Sequence, residues 1–179
     1  MAFQTGSQNP DDTAASVSHP EIRVPFLVKA FGSGLFSGYS PIASGTVGSL
    51  VGLAFYAIPN FETPPVIISV SFLVFILGIK AADLMEKRYG HDPAEVTIDE
   101  VLGMWVSLLF LPKSLVVAGS AFFIFRIMDI VKPWPARKFD SAKGGFGVMM
   151  DDAVAGFYTN VALHILLRIG IFNLFSTQQ

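Results

Sequence analysis

Two pairs of adjacent acidic residues in this chain each stand beside an apolar run. Asp99 and Glu100 precede one run, and Asp151 and Asp152 precede another. A carboxylate in apolar surroundings is costly unless a cation or hydrogen-bond donors compensate it. Carboxylate oxygens suit Mg²⁺, which commonly binds one or two of them together with a phosphate group. The two pairs are therefore candidate metal ligands.

The first acidic stretch covers residues 83–100 and reads DLMEKRYGHDPAEVTIDE. Within it, Asp92-Pro93 predicts a helix start, because Asp can cap free backbone amides and Pro suits the first turn. In a helix that begins there, Glu95 and Asp99 share a face, where their charges repel unless a cation lies between them. A solvated helix end is the alternative, although apolar residues rather than lysines flank the acid pair.

A second polar stretch begins where another apolar run ends. Arg126, Asp129 and Lys132 step by three residues, so in a helix they share a face. Pro133 and Pro135 then predict the end of that helix. Arginine and lysine side chains at this position are candidates for binding phosphate oxygens.

The same stretch continues into three glycines and the second acid pair. Gly144, Gly145 and Gly147 predict a flexible turn, after which Asp151 and Asp152 open the last apolar run. An acid pair at a helix start is favoured by the helix dipole, so N-capping alone would explain one such pair. Because the arrangement occurs twice, a shared site is the preferred interpretation.

A third stretch, residues 31–50, reads FGSGLFSGYSPIASGTVGSL. Its glycines alternate with hydroxyl residues, so it exposes backbone amides and hydroxyls that can hold phosphate oxygens where a helix follows. It lacks the Gly-Lys-Ser/Thr ending of a Walker loop. A purely structural loop before a helix is the alternative.

Together the three stretches combine hard oxygen ligands with phosphate-binding cations. The carboxylates are Glu95, Asp99, Glu100, Asp129, Asp151 and Asp152, and the cations are Arg126, Lys132 and Arg137. The histidines at 91 and 164 are isolated and do not suggest a zinc site. This combination favours metal-assisted attack on a phosphoester.

Apolar segments must position these groups. They cover residues 47–58, 66–82, 101–111, 114–125 and 153–175. They lack period-two alternation and are rich in Leu, Ala, Phe and Met, which predicts an all-α protein, a compact bundle of about five apolar helices. Only the second and the last approach the roughly 20 residues that cross a membrane. The others could be short, tilted or re-entrant helices, or buried helices of a compact bundle.

The composition favours a membrane-associated protein. The hydrophobic fraction is 52%, the charged fraction 15% and the mean hydropathy +0.56, whereas ordinary domains are about a quarter charged. A net charge of -2 argues against a nucleic-acid partner. The absence of cysteine excludes disulfides, thiolate metal sites and cysteine nucleophiles.

If successive segments reverse direction, all the polar stretches lie on one side. That side carries most of the basic residues, namely Lys29, Lys80, Lys87, Arg88, Arg126, Lys132, Arg137, Lys138 and Lys143. The positive-inside rule then makes it the cytoplasmic side. Residues 1–25 are polar, lack the pattern of a signal peptide and predict a disordered leader before one domain at residues 26–179. His19 lies in that leader and is not a candidate ligand.

The order of these motifs resembles the phosphatidylglycerophosphatase A family of bacteria. The motifs are GSG, SPIASGTVGSL, DPAEVTIDEVLGMW, FRIMDIVKPWPARKFD and GGFGVMMDDAVAGFY, and they span about residues 30–160. The resemblance implies a Mg²⁺-dependent enzyme of the cytoplasmic membrane, with its active site facing the cytoplasm. Its substrate would be phosphatidylglycerophosphate, which it would convert to phosphatidylglycerol. The oligomeric state is left open.

The resemblance also implies roles for individual residues. The acidic motif of the family falls on Asp92, Glu95, Asp99 and Glu100, its second motif on Arg126, Asp129, Lys132 and Arg137, its acid pair on Asp151 and Asp152, and its loop on Ser44, Gly45, Thr46 and Gly48. One departure is visible, because Ser44 stands where the family usually has Pro.

From this correspondence we expect one or two Mg²⁺ ions that polarise the terminal phosphate and activate a water for in-line attack. The expected metal ligands are Glu95, Asp99, Glu100, Asp151 and Asp152; the expected catalytic residues are Asp99, Glu100, Asp129, Lys132, Asp151 and Asp152; and the expected phosphate-binding residues are Ser44, Gly45, Thr46, Arg126, Lys132 and Arg137. An aspartate that acts as a covalent nucleophile remains an alternative.

Other functions fit the pattern less well. A CDP-alcohol phosphotransferase needs a motif that begins D-x-x-D-G, and histidine-type lipid phosphatases need a PSGH-like segment; neither occurs here. A transporter or scaffold that binds ions would place acids in the middle of its apolar segments. Here the acids gather at the segment ends, which favours chemistry at a membrane surface.

Overall fold

The computed structural model of the chain describes residues 23–140, 142 and 144–170. Most of the polar leader, with His19, lies outside the described residues, as do Lys143 and the end of the last apolar segment. The disorder of the leader and the single domain at residues 26–179 stay predictions.

The part of the chain that the structure describes is entirely helical, which confirms the all-α prediction. Its helices are α1 (Phe26–Gly32), α2 (Ser44–Tyr56), α3 (Pro64–Tyr89), α4 (Ile98–Ser107), α5 (Leu115–Val131), α6 (Ala136–Asp140) and α7 (Gly145–Arg168), with a 3₁₀ turn at Ser37–Tyr39. The five longer helices correspond to the five apolar segments of the sequence. Three of them also include polar motif residues, because α3 and α5 end later, and α7 begins earlier, than the apolar segments.

Contacts between the helices fix their directions. A β-carbon added to Gly103 of α4 would lie 2.9 Å from the carbonyl oxygen of Asp152 on α7. Further along both helices, the side chain of Asn160 on α7 donates hydrogen bonds to the carbonyls of Ser107 and Leu109 at the end of α4. The two helices therefore run parallel. Asp83, near the end of α3, accepts a hydrogen bond of 2.6 Å from the amide of Gly145 at the start of α7, so α3 runs the opposite way. The starts of α2, α4 and α7 and the ends of α3 and α5 therefore form one end of the bundle, the motif end. Residues 57–63 and 108–114 form the far end.

The central helix is α4, which is buried along most of its length between α2, α3, α5 and α7. Its Trp105 donates a hydrogen bond of 2.9 Å to the carbonyl of Gly52 on α2. Where it crosses α7, the two backbones approach directly, because Gly103 and Gly156 have no side chains to separate them. This close crossing brings the acid pair of α4 beside the acid pair of α7.

The outward faces of the longer helices are apolar. Side chains such as Phe72 (68% exposed) on α3, Phe123 (69%) and Ile130 (74%) on α5 and Phe157 (57%) on α7 point away from the core. Only 33% of the apolar window of α3 is buried, and its 26 residues are long and apolar enough to cross a membrane. Among the described residues, α3 is the only helix that meets this length and composition test.

Two predicted helix starts are wrong. The helix expected from Asp92-Pro93 begins only at Ile98, because residues 93–96 form a turn in which the amide of Val96 donates to the carbonyl of Pro93, and the amide of Thr97 donates to the distant carbonyl of Gly32. Glu95 and Asp99 therefore do not share a helix face. The last helix begins at Gly145 rather than at the acid pair, because the amide of Gly145 is capped by Asp83 and the glycines pack into the first turn.

Candidate metal and phosphate site

The first acid pair lies in the first turn of α4. Asp99 is 7% exposed and accepts a hydrogen bond of 3.0 Å from the backbone amide of Glu100 through its Oδ1. The residue before the helix, Thr97, does not cap it, because its hydroxyl lies 2.8 Å from that of Ser37. The hydrogen bond from the amide of Glu100 to Asp99 therefore takes the place of a side-chain cap at the start of α4.

The second acid pair lies in the second turn of α7 and is equally buried. Asp151 is 5% exposed and Asp152 is 3% exposed. The Oδ1 of Asp151 accepts a hydrogen bond of 2.9 Å from the amide of Asp152, and its Oδ2 lies 2.7 Å from the Nζ of Lys132. Lys132 is the residue that caps the end of α5, and its backbone is left-handed (φ +46°). In this conformation its ammonium group contacts Asp151 on α7.

The end of α5 contributes an ion pair beside the acids. Arg126 Nη1 lies 2.8 Å from Asp129 Oδ2, three residues later on the same helix face. This confirms the spacing that predicted a shared face for these two residues. Lys132 reaches the same group of side chains from just beyond the helix.

The start of α2 packs against this group. A β-carbon on Gly45 would lie 3.0 Å from both terminal nitrogens of Arg126 and would collide with Oε1 of Glu100. A β-carbon on Gly48 would lie 2.8 Å from the Cβ of Thr97. Only glycine allows the first turn of α2, which also holds Ser44 and Thr46, to come this close. The amide-rich end of a helix therefore faces the arginine and the acids.

Three of the acids form a group suited to a metal ion. Asp99, Glu100 and Asp152 each offer a carboxylate oxygen, and these oxygens lie within 4.8 Å of one another. Glu100 Oε2 and Asp152 Oδ2 are buried and have no hydrogen-bond partner among the described residues. Buried polar atoms are almost always satisfied, so the two orphaned carboxylate oxygens fit a cation, just as the orphaned Nε of Arg126 fits an anion. An all-oxygen donor set fits Mg²⁺.

The raised pKa values of these carboxyls also fit a site that binds a cation. Burial and the neighbouring Glu100 raise the pKa of Asp99 well above its usual value, and burial and Asp129 do the same to the pKa of Asp152. Burial raises the pKa of Glu100 to about 8. Burial raises the pKa of Asp151 only to about 6, because Lys132 opposes the effect. Without a cation, these side chains would hold protons in place of a metal ion.

The remaining residues named from the sequence lie around this group. Asp129 raises the pKa of both Glu100 and Asp152, so it belongs electrostatically to the cluster. Glu95 lies in the loop before α4, half-buried near Tyr39, and is not part of the group of three. Arg137 is exposed on α6.

Two acids near the site were not among the predicted ligands. Asp92 raises the pKa of Asp99 and of Asp151, so its charge acts on both acid pairs. The sequence named it as a helix cap and as part of the acidic motif of the family, but not as a metal ligand. Asp83 holds the start of α7 in place, and no local pattern in the sequence reveals a contact between residues so far apart.

Comparisons with known proteins identify relatives of the chain. A family model described as Phosphatidylglycerophosphatase A matches residues 30–167. A protein of Escherichia coli named "Phosphatidylglycerophosphatase A" is 42% identical over 135 residues, which cover 73% of this chain and 75% of the relative. A protein of Haemophilus influenzae with the same name is 33% identical over 144 residues, 78% of this chain and 86% of the relative.

Another relative carries a different name. A protein of Bacteroides thetaiotaomicron named "Putative phosphatidylinositol-3-phosphatase" is 39% identical over 153 residues, which cover 80% of this chain and 95% of the relative. No solved structure matches the chain. All three relatives are named as phosphatases of phosphorylated glycerolipids, and the names differ in the head group.

Proposed function

Since the chain belongs to the phosphatidylglycerophosphatase A family and is a phosphatase, we propose that it hydrolyses the terminal phosphomonoester of phosphatidylglycerophosphate in a Mg²⁺-dependent reaction. The products are phosphatidylglycerol and inorganic phosphate. The observation that carries the proposal is the group of Asp99, Glu100 and Asp152, with two buried carboxylate oxygens that lack partners, beside the cations of α5.

In this proposal, Asp99, Glu100 and Asp152 hold the metal ion, and Asp151 and Glu95 are further expected ligands. Bound Mg²⁺ supplies positive charge that polarises the phosphate and makes a water molecule more acidic. The chain itself supplies Lys132 and Arg126 (and Arg137) to neutralise phosphate oxygens.

Ion pairs hold the two inner cations in place before substrate binds. Lys132 is held by Asp151 at 2.7 Å and Arg126 by Asp129 at 2.8 Å, so both are already oriented towards the site. The first turn of α2, with Ser44, Gly45 and Thr46, adds backbone amides and hydroxyls that can donate to phosphate oxygens. Such preorganised donors lower the barrier because they need not reorient as charge develops.

We place the enzyme in the bacterial cytoplasmic membrane with its motif end at the cytoplasmic surface. The length of α3 and the exposed apolar side chains of α3, α5 and α7 support contact with lipid. The basic residues at the motif end, including Lys87, Arg88 and Lys138, support the cytoplasmic orientation. A phosphate group at a membrane surface would then meet the acid cluster without leaving the interface.

Phosphate release from lipid micelles tests this function. The purified protein is assayed with phosphatidylglycerophosphate, phosphatidylinositol 3-phosphate and phosphatidate, each with Mg²⁺ and with EDTA. We expect release from the first lipid to be fastest and to stop in EDTA. Absence of Mg²⁺-dependent release from phosphatidylglycerophosphate would refute the proposal. Faster release from phosphatidylinositol 3-phosphate would instead favour the substrate that the name of the Bacteroides relative gives.

A matched pair of variants separates chemistry from folding. Asp99→Asn should abolish turnover, because it removes a charged metal ligand with little change in volume. Glu62→Gln should retain turnover because Glu62 pairs with Lys113 at the far end of the bundle, away from the acid group. Full activity of Asp99→Asn would remove Asp99 from the site.

A further inference from the structure

An apolar cavity of about 280 Å³ lies between α1, α2, α3 and α4. The surface that lines it is entirely apolar. From α4 it is lined by Ile98, Val101 and Trp105, which follow the i, i+3, i+7 spacing of one helix face. Asp99 and Glu100 leave the same helix on other faces, so α4 carries both the cavity wall and two acids of the site.

The cavity runs along the helices from the motif end towards the far end. Ile98 is adjacent in sequence to Asp99, so the cavity begins at the level of the acids. Trp105 lies seven residues later, about 10 Å along the helix axis. There Phe61 packs on Trp105 with ring centroids 5.0 Å apart and closes the far end. The lining residues of α4 therefore extend about 10 Å from the level of the acids towards the far end.

The size and the edge of the cavity fit a ligand rather than a packing defect. Protein interiors contain few voids larger than a water molecule, and an apolar cavity of roughly 150 Å³ already binds benzene. This cavity is larger, and at its edge Leu35 is 62% exposed while Phe31 and Val51 are half-buried. A guest could enter there from surrounding lipid.

We propose that this cavity binds the part of one acyl chain nearest the head group while the phosphate of the same lipid substrate lies at the acid cluster. The inference rests on the proposed function, because it assigns a site to the apolar part of the same substrate. An acyl chain matches the apolar lining of the cavity, and the lining begins at Ile98, next to Asp99, so the head group would lie at the level of the acids. The segment of residues 1–22 is polar and does not match an apolar cavity.

Substitutions that fill the cavity test the proposal through substrate preference. Val51→Phe and Val70→Phe each add a ring to a lining position on a different helix, so one can replace the other if it fails to fold. The substrates are dioleoyl phosphatidylglycerophosphate and its acyl-free head group. We expect each variant to lower the ratio of kcat/KM for the acylated lipid to that for the head group by about tenfold, as removal of apolar contacts in a pocket does.

A matched control fills the second cavity. That cavity, of about 350 Å³, lies at the far end and is lined by Tyr56, Lys113 and Ala118 among others. Ala118→Phe should leave the ratio of the two kcat/KM values unchanged. An equal fall of the ratio in Ala118→Phe and Val51→Phe would overturn the proposal, because it would show a general effect of added bulk.

Tryptophan fluorescence measures occupancy without turnover. The chain has two tryptophans, of which Trp134 is 71% exposed and Trp105 is buried in the cavity wall at 4%. In the Trp134→Phe protein, a phosphatidylglycerophosphate with brominated acyl chains should quench Trp105, and adding Val51→Phe should restore the fluorescence. Absence of quenching would overturn the acyl-chain site. If neither substrate releases phosphate with the wild-type enzyme, the proposed function fails. The quenching of Trp105 would still show whether an acyl chain binds in the cavity.

Discussion

At the scale of single residues, the site consists of acids that the fold buries without neutralising. Asp99, Asp151 and Asp152 are each less than a tenth exposed, and Asp151 is paired with Lys132. Leaving a buried charge unpaired is among the most costly features a fold can contain. The arrangement therefore trades stability of the metal-free protein for affinity towards a cation, as active sites commonly do.

The substitution Asp152→Asn should separate the effect of the buried acids on stability from their effect on cation binding. Removal of one charge from the cluster should raise the melting temperature in EDTA, and about 1 kcal/mol corresponds to about 2–4 °C in a chain of this size. The same change should abolish stabilisation by added Mg²⁺ and lower kcat by about a thousandfold, because a bound metal ion contributes several kcal/mol. Thermal unfolding in detergent, with and without Mg²⁺, measures both effects.

The control for this substitution is Glu62→Gln, which breaks an exposed ion pair with Lys113 at the far end. Exposed pairs contribute little, so its melting temperature and its response to Mg²⁺ should match the wild type. A melting temperature of Asp152→Asn below that of the wild type in EDTA would show that the buried charge is already compensated within the chain.

The raised pKa values predict how the metal-free protein responds to pH. Burial raises the pKa of Glu100 to about 8 and that of Asp151 to about 6, whereas carboxyls of unfolded chains titrate near 4. The folded chain keeps protons that the unfolded chain has lost, so this stabilisation is full at low pH and is lost as the pH rises through the folded values. In EDTA, the melting temperature should fall between about pH 5 and 8.

The variant Glu100→Gln isolates this effect, because it lacks the carboxyl whose pKa is raised by burial to about 8. Its melting temperature in EDTA should fall less steeply over the same interval of pH. An equal or steeper fall in the variant would assign the pH dependence to other groups. Saturating Mg²⁺ should flatten the curve of the wild type, because metal binding displaces the same protons.

Sequence reasoning singled out the acid pairs as candidate ligands, and it could not predict what surrounds them. The unusual placement of acids beside apolar runs identified Asp99, Glu100 and Asp152, which the fold brings together. It grouped Glu95 with them through a helix that does not extend that far. The contact of Lys132 with Asp151 depends on a left-handed residue at the end of α5, which no local pattern encodes.

At the scale of elements, the site depends on how closely α4 and α7 cross. A β-carbon on Gly156 would lie 3.1 Å from the carbonyl carbon of Gly103 and from the Cβ of Val106. Separating the two helices would move Asp152 away from Asp99 and Glu100. The geometry of the acid group is therefore set by glycines that lie one to two turns away from it.

The substitution Gly156→Val should therefore cost both stability and activity. Overpacking of this kind costs about 1–3 kcal/mol, and we expect kcat to fall more than tenfold because the metal ligands separate. Gly119→Ala is the matched control, since nothing in the described chain lies within 4 Å of its added β-carbon. In the middle of α5, this change should raise stability by about 0.5–1 kcal/mol and leave kcat unchanged. Wild-type activity of Gly156→Val would show that the crossing does not set the site.

The boundaries of elements were less predictable than their existence. Each apolar segment is helical over most of its described residues, because composition and length specify a helix strongly. The start of α4 was misplaced because Asp92-Pro93 has the sequence of a cap, whereas Glu86 accepts the amide of Asp92 and holds it in a turn. The first residue of α7 is set by Asp83, a contact between distant segments. Long-range contacts therefore decide where the helices begin.

At the scale of the whole molecule, charge and apolar surface are separated along the bundle axis. The acid group and most of the basic residues lie at the motif end, and exposed apolar side chains cover the sides of α3, α5 and α7. A protein in water rarely exposes so much contiguous apolar surface. In the membrane placement proposed above, the same surface would face lipid, which would account for the 52% hydrophobic residues of a chain with a polar site at one end.

Single thiols at the two ends of α3 test this arrangement directly. The chain has no cysteine, so Pro65→Cys and Lys87→Cys each introduce the only thiol, at exposed positions. They lie 22 residues apart, about 33 Å along a helix, which exceeds the roughly 30 Å of a hydrocarbon core. In intact bacterial cells, a membrane-impermeant maleimide should label Pro65→Cys, whereas Lys87→Cys should react only after permeabilisation. The opposite pattern would invert the orientation, and labelling of both positions in intact cells would show that α3 does not cross the membrane.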